Sequence, residues 1–519
     1  MDYFLVWKTM TTALNGIFFR TRQGNQYFYD DQTGLVFFCP DEFAENLRQG
    51  RLETQGNSRS VIGDNRKAEY TEYAGELFFD LYRDWQNRFG AFKSKSTVVE
   101  NQRRGVDISK IKNYLGRYGY TQLILNITER CNLRCKYCIF SDAYPYYRNI
   151  NNNRMDFDVA KKAVDYYFSI IKENMERNAL RKPTINFYGG EPLLEFNLIK
   201  QVVEYVRSIY RGDVLFSTTT NGTLLNNERI DFLIKHNFGL FISLDGPEAE
   251  HDRQRVDELG KGTFKIIIKN IKRIKNIYPH YTNCLILSTY DYGTDLKRVI
   301  RYFDEHRNAL PVIGRVNMVS MHATNHYDQY NEKVRKQFSR KLTELKNDYI
   351  SQMKVASEQQ YSDYLEKLIG VEYRLIMIRE TIRLRDNAII RYSGACVPGT
   401  KMSISCDGKI HICEKINEHF SIGDIYRGLD FDRIEEIIRK YDASCLQGCS
   451  ECSITRLCSS CFVNFAQNGE FRKSDSFCQL VNKNVSNLLA ETYSLLEENP
   501  RIFSRLLKDY HNVIDCEST

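Results

Sequence analysis

Six apolar runs, each followed by an amphipathic stretch, occupy the middle of this 519-residue chain. The runs are, in order, TQLILNIT, PTINFYGG, VLFSTTTNG, FGLFISLDG, CLILSTY and VIGRVNMVS. Strand-like runs that alternate with helical patterns predict parallel strands joined by right-handed crossovers. We therefore predict an α/β fold over residues 118–320, with a parallel sheet curled into a partial (β/α)6 barrel. In such sheets, functional residues gather where the strands end.

The residues on either side of this pattern predict further units. Residues 1–105 contain the aromatic runs YFLVWKT, GIFFRTR, QYFYDD and LVFFCP, and then the helical stretch EYTEYAGELFFDLYRDWQNRF, which together predict a small α+β domain. The polar, basic segment 93–117 predicts a linker. The charged, Pro-free residues 321–390 predict a helical connecting segment, and residues 391–519 form a Cys-rich domain.

Cysteine usage and charge restrict the classes of function. The chain has 15 cysteines, no run of eighteen apolar residues and no signal-peptide pattern at its N-terminus, so we predict a cytoplasmic protein that does not bind membranes. In a reducing cytosol, clustered cysteines bind metal or catalyse more often than they form disulfides. The net charge of +7 is mild for this length, so no nucleic-acid partner is expected, and an acidic peptide is as good a fit.

The stretch TERCNLRCKYC directly follows the first predicted barrel strand. Its cysteines, Cys131, Cys135 and Cys138, have the spacing C-x3-C-x2-C, whereas a closed metal site takes four protein ligands. Three thiolates either borrow a distant fourth ligand, as a zinc or redox loop would, or leave one iron of a four-iron cubane open. An open iron can bind substrate or cofactor.

Polar groups follow the next three strands. The second strand ends in Gly189, Gly190 and Glu191, where the glycines would let carbonyl groups approach a ligand and the carboxylate could accept from an ammonium group. The third offers hydroxyls and the Asn221 amide to a ribose, and Arg255 follows the fourth as a carboxylate clamp. These groups around an open iron describe an amino-acid nucleoside, S-adenosylmethionine.

The three-Cys loop followed by GGEP resembles the radical S-adenosylmethionine (radical SAM) enzymes over residues 118–320. The resemblance implies a [4Fe–4S] cluster on the three cysteines, S-adenosylmethionine on its open iron, cleavage to a 5′-deoxyadenosyl radical, and an external electron donor of flavodoxin or ferredoxin type. It also implies that Tyr137 lies near the adenine, that Gly190 binds the amine, and that Ser243 and Arg255 bind the carboxylate.

The C-terminal cysteines resemble the SPASM domain. The resemblance implies two auxiliary [4Fe–4S] clusters, and hence three clusters in the chain. One would be held by Cys449, Cys452, Cys458 and Cys478, and the other by Cys396, Cys413 and Cys461. The fourth ligand of the latter stays open: Cys406, Cys445, a Cys of the substrate, or none. The two C-x2-C pairs also suit a zinc ribbon.

Glu414, directly after Cys413, stands where sulfatase-maturing relatives carry an Asp that acts as a base. Two roles are open for this carboxylate: deprotonation of the substrate, or hydrogen bonding beside the cluster. The aromatic run YPYYRN, which follows the first Cys loop, is predicted to pack rather than to bind a ligand.

A SPASM extension resembles enzymes that modify peptides or proteins, and residues 1–105 resemble the leader-binding domain of ribosomal-peptide maturases, a small winged helix. We therefore predict an enzyme that installs thioether links, from a Cys sulfur to a carbon, in a Cys-rich precursor peptide with a leader segment, as sactipeptide and ranthipeptide synthases do. The alternatives are a sulfatase-type maturase that forms formylglycine, a carbon–carbon cyclophane synthase, and a metal-sensing or peptide-binding protein without catalysis.

Overall fold

The structure is a computed structural model that describes residues 14–48, 81–82, 84–92, 107–147, 150–174, 182–355, 361–379, 381, 389–390 and 394–507. The predicted strand YFLVWKT, most of the predicted helix after the aromatic runs and most of the predicted linker lie outside these residues. Among the described residues, no helix is both long enough and apolar enough to cross a lipid bilayer.

Six parallel strands form the centre of the fold and pair in chain order. They are β4 (Gln122–Thr128), β5 (Thr184–Gly189), β6 (Leu215–Thr220), β7 (Gly239–Ser243), β8 (Cys284–Tyr290) and β9 (Val312–Met318). Their apolar side chains, such as Leu125, Phe187 and Ile242, are almost fully buried, as expected for a sheet that helices cover. The predicted α/β fold with a parallel sheet is confirmed.

Helices join these strands. They are α3 (Phe157–Asn174), α4 (Phe196–Ile209), α5 (Asn227–Lys235), α6 (Glu248–Gln254), α7 (Phe264–Ile277) and α8 (Leu296–Glu305). Asp156 caps α3 by accepting a hydrogen bond of 2.8 Å from the backbone N–H of Val159. Because every strand runs in the same direction, the loops after β4 to β8 lie at one edge of the sheet.

The C-terminal domain extends this sheet. Strand β10 (Lys401–Ile404) pairs in parallel with β4, in a register that matches Lys401 with Gln122. Beyond it, β11 (Lys409–His411), β12 (Ser421–Asp424) and β13 (Gly428–Leu429) pair antiparallel and complete a sheet of ten strands. The barrel and the Cys-rich domain therefore share one continuous hydrogen-bond ladder.

The N-terminal domain has its own sheet and core. Strands β1 (Gly16–Arg20), β2 (Gln26–Asp30) and β3 (Val36–Phe38) form an antiparallel sheet, and α1 (Asp41–Arg48) follows. The predicted strands at GIFFRTR, QYFYDD and LVFFCP are thus present. Phe28, Phe37 and Phe43 pack with Tyr82 and Phe92 into a core separate from the main one. This sheet also contacts the C-terminal domain, where the Phe19 and Tyr493 rings lie 5.5 Å apart.

The prediction of a linker over residues 93–117 is wrong for its last part. Helix α2 (Ile108–Tyr118) is capped by Asp107, which accepts from the N–H of Ser109 at 2.8 Å. Ile111 and Leu115, one turn apart, are fully buried. These two apolar residues, with Tyr114 packed against the same core, attach this short helix to the rest of the fold.

The described part of residues 321–390 contains α9 (Glu332–Val355) and a later helical stretch that ends in α10 (Val371–Met377). In the Cys-rich domain, α11 (Phe431–Cys445) precedes the run of four cysteines. A short pair, β14 (Ala466–Gln467) and β15 (Glu470–Phe471), leads to the long helix α12 (Asp475–Glu498).

Candidate active site

The loop that carries Cys131, Cys135 and Cys138 leaves the sheet at the end of β4. The three thiols lie close enough to interact electrostatically, and burial raises the pKa of Cys131 and of Cys135 to about 12. Such thiols ionise only beside a strong positive charge, which a bound iron–sulfur group provides. Three converging thiols of one loop fit that group. Among the described residues, no three His, Cys, Asp or Glu side chains surround a position for a single metal ion.

Gly189 and Gly190 pack directly against the Cys loop. A Cβ atom on Gly189, whose φ is +135°, would lie 2.1 Å from the carbonyl oxygen of Thr128, and one on Gly190 would lie 2.1 Å from that of Arg130. The N–H of Gly190 donates to Thr128 O, and that of Glu191 to Arg130 O, each at 2.8 Å. These glycines therefore bring two strand ends together, a role that sequence reasoning, which assigned them to ligand binding, did not give them.

Glu191 is fully buried and ties the same turn to the next strand end. Its carboxylate accepts from the N–H of Leu193 at 3.0 Å, from Thr220 Oγ1 at 2.7 Å and from the N–H of Asn221 at 2.7 Å. Burial raises its pKa, which these hydrogen bonds partly offset. The structure shows a carboxylate that shapes the site; binding of an ammonium group by Glu191 stays a prediction.

Asn221 also reaches the Cys loop. Its side-chain amide donates to Asn132 Oδ1 at 2.9 Å and lies 3.9 Å from the Cys131 sulfur. Its Oδ1 atom accepts from the N–H of Thr223 at 3.0 Å. Ser243 closes strand β7 and is buried. Both residues thus stand at the strand ends around the loop, as predicted, and their contacts with a ribose or a carboxylate stay predictions.

Tyr137 and Arg255 meet at a buried carboxylate. Asp245 accepts from the Tyr137 hydroxyl at 2.5 Å and from Arg255 Nε at 2.9 Å through one oxygen, and from the N–H of Thr289 at 2.9 Å through the other. The Arg255 guanidinium lies 5.3 Å from the centre of the Tyr137 ring. Because the ion pair uses Nε, the guanidinium edge is the part that could bind an incoming carboxylate.

Sequence reasoning missed Asp245, although it stands in the quoted FGLFISLDG run, and it missed Asp291, which directly follows β8. Asp291 is buried and accepts from Arg253 Nη2 at 2.7 Å, Gln254 Nε2 at 2.6 Å and the Tyr330 hydroxyl at 2.7 Å. These interactions hold the pKa of Asp291 below its usual range. A charged residue at the end of a predicted parallel strand was the signal that could have found both.

The segment that Asp291 anchors supports the Cys loop. The backbone N–H of Lys136 donates to Gln254 O at 3.0 Å, and that of Arg134 to Val256 O at 2.7 Å. The loop is therefore held on one side by the GGEP turn and on the other by residues 254–256. Both supports are buried, which limits its freedom to move.

Acid is expected to weaken this site through His251, which is fully buried. Its Nδ1 accepts from the N–H of Asp245 at 3.3 Å, so Nε2 carries the proton and faces Thr263 Oγ1 at 3.1 Å. Burial lowers the pKa of His251 to about 4. Between this pH and about 6.5, the histidine is therefore protonated in the unfolded chain and neutral in the folded chain. Stability should fall by about 3 kcal/mol as the pH drops from about 6.5 to 4.

The measurement is the thermal midpoint of the wild type and of His251→Gln over that pH range. The amide of Gln can accept from Asp245 without titrating, so its curve should be flatter, while the exposed His280→Gln control should follow the wild type. Parallel curves for all three proteins would show that His251 does not carry the effect.

In the C-terminal domain, the structure brings together the predicted set Cys449, Cys452, Cys458 and Cys478. Cys449 interacts electrostatically with the other three thiols, and burial raises its pKa to about 12. Asn482 lies 4.0 Å from the Cys452 sulfur and donates to Cys478 O at 3.0 Å. Four neighbouring, half-buried thiols fit an iron–sulfur group, and the identity of that group stays a prediction.

The second predicted set, Cys396, Cys413 and Cys461, also converges. Cys461 interacts with both Cys413 and Cys396, and the Tyr147 ring of the YPYYRN run lies beside Cys413 and Cys461. Two surplus thiols have other neighbours. Cys406 donates to Asn126 O at 3.2 Å. The buried Cys445 lies near Lys473, which also interacts with Cys449.

Glu414 lies beside the second set. Its carboxylate interacts with Cys413, and its Oε2 atom is shielded from solvent and accepts no hydrogen bond from the described residues. A buried carboxylate oxygen without a donor is costly unless a ligand supplies one. The structure therefore places an available proton acceptor next to the Cys413 thiol.

Comparison with known proteins agrees with this geometry. Residues 125–304 match the Radical SAM superfamily. The uncharacterized protein MJ0907 of Methanocaldococcus jannaschii is 38% identical over 159 residues, which are 30% of this chain and 50% of that protein. This chain thus covers only half of that relative. The cysteine-type anaerobic sulfatase-maturating enzyme of Clostridium novyi is 26% identical over 383 residues, 71% of this chain and 96% of the relative.

A solved structure shares the fold. The protein anSMEcpe with bound AdoMet superimposes with a TM-score of 0.52 at 19% identity, over 74% of this chain and 98% of that chain. Its complex with AdoMet and the Kp18Cys peptide gives a TM-score of 0.50 over the same shares. With the three-thiol loop and the glycine turn packed on it, these matches show that residues 125–304 form a domain of the Radical SAM superfamily, and that the chain shares the fold of anSMEcpe.

Proposed function

We propose that this enzyme matures a ribosomally made, Cys-rich peptide by joining a Cys sulfur to a carbon of another residue. The observation that supports the proposal most directly is the set Cys396, Cys413 and Cys461, in which Cys413 lies beside the available carboxylate of Glu414. Cys406 and Cys445, the surplus thiols, contact other parts of the chain. A substrate thiolate is therefore the fourth ligand that we assign to this set.

Formation of the thioether removes one hydrogen atom, one proton and one electron from the peptide, and each of these has an acceptor. When bound, the iron–sulfur groups supply the redox chemistry: one gives the electron that cleaves S-adenosylmethionine to the 5′-deoxyadenosyl radical, and an auxiliary one takes up the electron left when the C–S bond closes. The radical removes a hydrogen atom from the peptide carbon, and the thiol proton goes to Glu414. The peptide thus loses two hydrogens per link. The chain's own residues bind and orient the nucleoside and exclude water.

Different residues of the barrel are the proposed contacts for different parts of S-adenosylmethionine. Arg255 offers its guanidinium edge to the nucleoside's carboxylate, with Asp245 holding it in place, and Ser243 stands beside it at the end of β7. Tyr137, Gly190 and Asn221 are the proposed contacts for the adenine, the amine and the ribose. We further propose that an external electron donor approaches at the solvent-open cavity of about 380 Å³ beside Cys131.

The N-terminal sheet is the proposed docking site for the leader segment. Strand β3 is one edge of this sheet, and the side chain of Phe38 on it is 43% exposed. The opposite edge, β1, faces α12, where the rings of Phe19 and Tyr493 lie 5.5 Å apart. An extended peptide that adds to the β3 edge would form main-chain hydrogen bonds with it. Every second side chain of that peptide would face the same side of the sheet, where a pocket could select it.

Sulfatase-type maturation is the second candidate. It is favoured by the Clostridium novyi relative, 96% of which this chain covers. The same Glu414 would then deprotonate a Cys that becomes formylglycine. The two reactions leave different products, so one experiment separates them.

The experiment is coexpression with the short Cys-rich reading frame nearest to the gene, under anoxic conditions, followed by mass spectrometry of the peptide. A thioether lowers the mass by two hydrogens per link, removes one alkylatable thiol and survives reduction. A carbon–carbon link lowers the mass equally but leaves every thiol alkylatable, and formylglycine replaces the sulfur by oxygen. A peptide that keeps all of its hydrogens would contradict the thioether assignment.

Glu414→Gln adds a sharper control. The variant should still release 5′-deoxyadenosine but form little linked peptide, whereas Glu418→Gln, at an exposed position nearby, should behave as the wild type. Full product yield in Glu414→Gln would exclude this carboxylate as the base.

A further inference from the structure

A carboxylate of the N-terminal domain enters the cysteine loop of the C-terminal domain. Asp31, which follows β2, is 4% exposed. It accepts from the backbone N–H of Thr455 at 3.0 Å through Oδ2 and from that of Arg456 at 2.9 Å through Oδ1, and the Thr455 hydroxyl also donates to it. Thr455 and Arg456 lie between Cys452 and Cys458, two members of the four-thiol set.

Further hydrogen bonds fix the same contact from both sides. The Tyr29 hydroxyl donates to Asp31 Oδ1 at 2.9 Å. In return, the Arg456 guanidinium donates to the backbone carbonyls of Asp31 at 3.1 Å and of Gln32 at 2.6 Å. Donors surround the Asp31 carboxylate, and the Arg456 guanidinium binds the backbone carbonyls after β2. This contact therefore holds the Cys452–Cys458 loop in place.

The contact also has an electrostatic consequence. Asp31 is close enough to Cys452 to disfavour negative charge on that sulfur. Hydrogen bonds to the sulfurs and nearby charge are among the main factors that set the potential of an iron–sulfur group. Here two backbone N–H groups of the loop point at a carboxylate, so they are not directed at the sulfurs.

We propose that Asp31 is a positioning residue for the auxiliary group held by Cys449, Cys452, Cys458 and Cys478. The N-terminal domain thereby holds the loop between two of the ligands and keeps the reduction potential of that group low. The inference rests on the proposed function to the extent that this group is an iron–sulfur cluster. It adds that the domain assigned to the leader is part of the auxiliary centre.

The test compares the anoxically reconstituted full-length wild type with Asp31→Asn by redox titration followed by electron paramagnetic resonance. Asn keeps the shape of Asp but removes its charge. Because reduction adds an electron, removal of a nearby negative charge should raise the potential of one auxiliary group and leave the signal of the barrel group unchanged. The rate at which a chelator removes iron from that auxiliary group should also rise.

Asp30→Asn is the matched control. Asp30 is as buried as its neighbour, but its carboxylate accepts from donors of the N-terminal domain: the Thr33 N–H at 2.8 Å, the Thr33 hydroxyl at 2.6 Å and the Phe92 N–H at 3.1 Å. Its auxiliary signals should match those of the wild type. If Asp31→Asn cannot load this group while Asp30→Asn loads all groups, the positioning role is likewise supported.

Equal potentials and equal iron loss in all three proteins would overturn the inference, as would equal changes in both variants. Finding zinc in the four-thiol site of the wild type would overturn it too. None of these results depends on product formation, so a failure of the thioether proposal is seen separately, in the mass of the peptide.

Discussion

The Cys135→Ala variant is expected to release no 5′-deoxyadenosine above background when it is reduced in the presence of S-adenosylmethionine. Cys135 lies in the middle of the loop after β4, where its thiol interacts with Cys138, Arg255 and Asp245. With two thiols left, the loop cannot hold an iron–sulfur group that has only one open position. Loss of a hydrogen-bonding partner of a metal ligand lowers activity roughly 10–100-fold, and loss of a ligand should exceed that range.

Cys284→Ala is the matched control, because this cysteine is also buried but lies within β8, away from the loop. It should keep its iron content and its deoxyadenosine release, with at most a loss of stability from the smaller side chain. Iron and sulfide per chain, the near-ultraviolet and visible spectrum, and chromatography of the nucleoside products check both variants. Deoxyadenosine release by Cys135→Ala at the wild-type rate would refute the assignment of the loop.

The Asp245→Ala variant is expected to lose about 3–5 kcal/mol of stability, the typical result of leaving a buried charge without its partner. Asp245 and Arg255 have side chains that are only 4% and 10% exposed, so water cannot replace the lost carboxylate. The Tyr137 hydroxyl and the N–H of Thr289 lose their acceptor as well. Because the same ion pair orients Arg255, binding of S-adenosylmethionine should weaken by at least about tenfold.

Denaturant unfolding followed by circular dichroism, and equilibrium binding of S-adenosylmethionine to reconstituted protein, measure the two effects. The control is Asp213→Asn, whose side chain is 81% exposed and pairs with Lys182 at 3.3 Å; this change should alter stability by less than about 1 kcal/mol. If Asp245→Ala matched this control in stability and in binding, the ion pair would not be the support that the structure indicates.

The parallel sheet could be predicted because its strands are apolar runs, such as LILNI, which is buried on both faces, and because these runs alternate with helical patterns. Asp156 caps the first crossover helix, a role that an Asp just before an amphipathic stretch favours. The strands that the C-terminal domain adds were not predicted. They have two to four residues each, too short for a periodic pattern to be distinguished from a loop.

The site divides in the same way. The spacing of Cys131, Cys135 and Cys138 and the position of Gly190 follow from local sequence, and the structure brings them together. The contacts of Asp31 with Thr455 could not be predicted, since they join residues 424 positions apart. The role of Gly189 against the Thr128 carbonyl likewise depends on how two strand ends approach, which spacing alone does not reveal.

The pairing of β10 with β4 has a consequence for how the enzyme handles its substrate. A ladder of main-chain hydrogen bonds joins the barrel strand that precedes the Cys loop to the first strand of the Cys-rich extension. For the peptide substrate proposed above, this ladder would keep the span between the barrel site and the cysteines of the extension nearly constant. The distance between linked residues in the product should then follow that span.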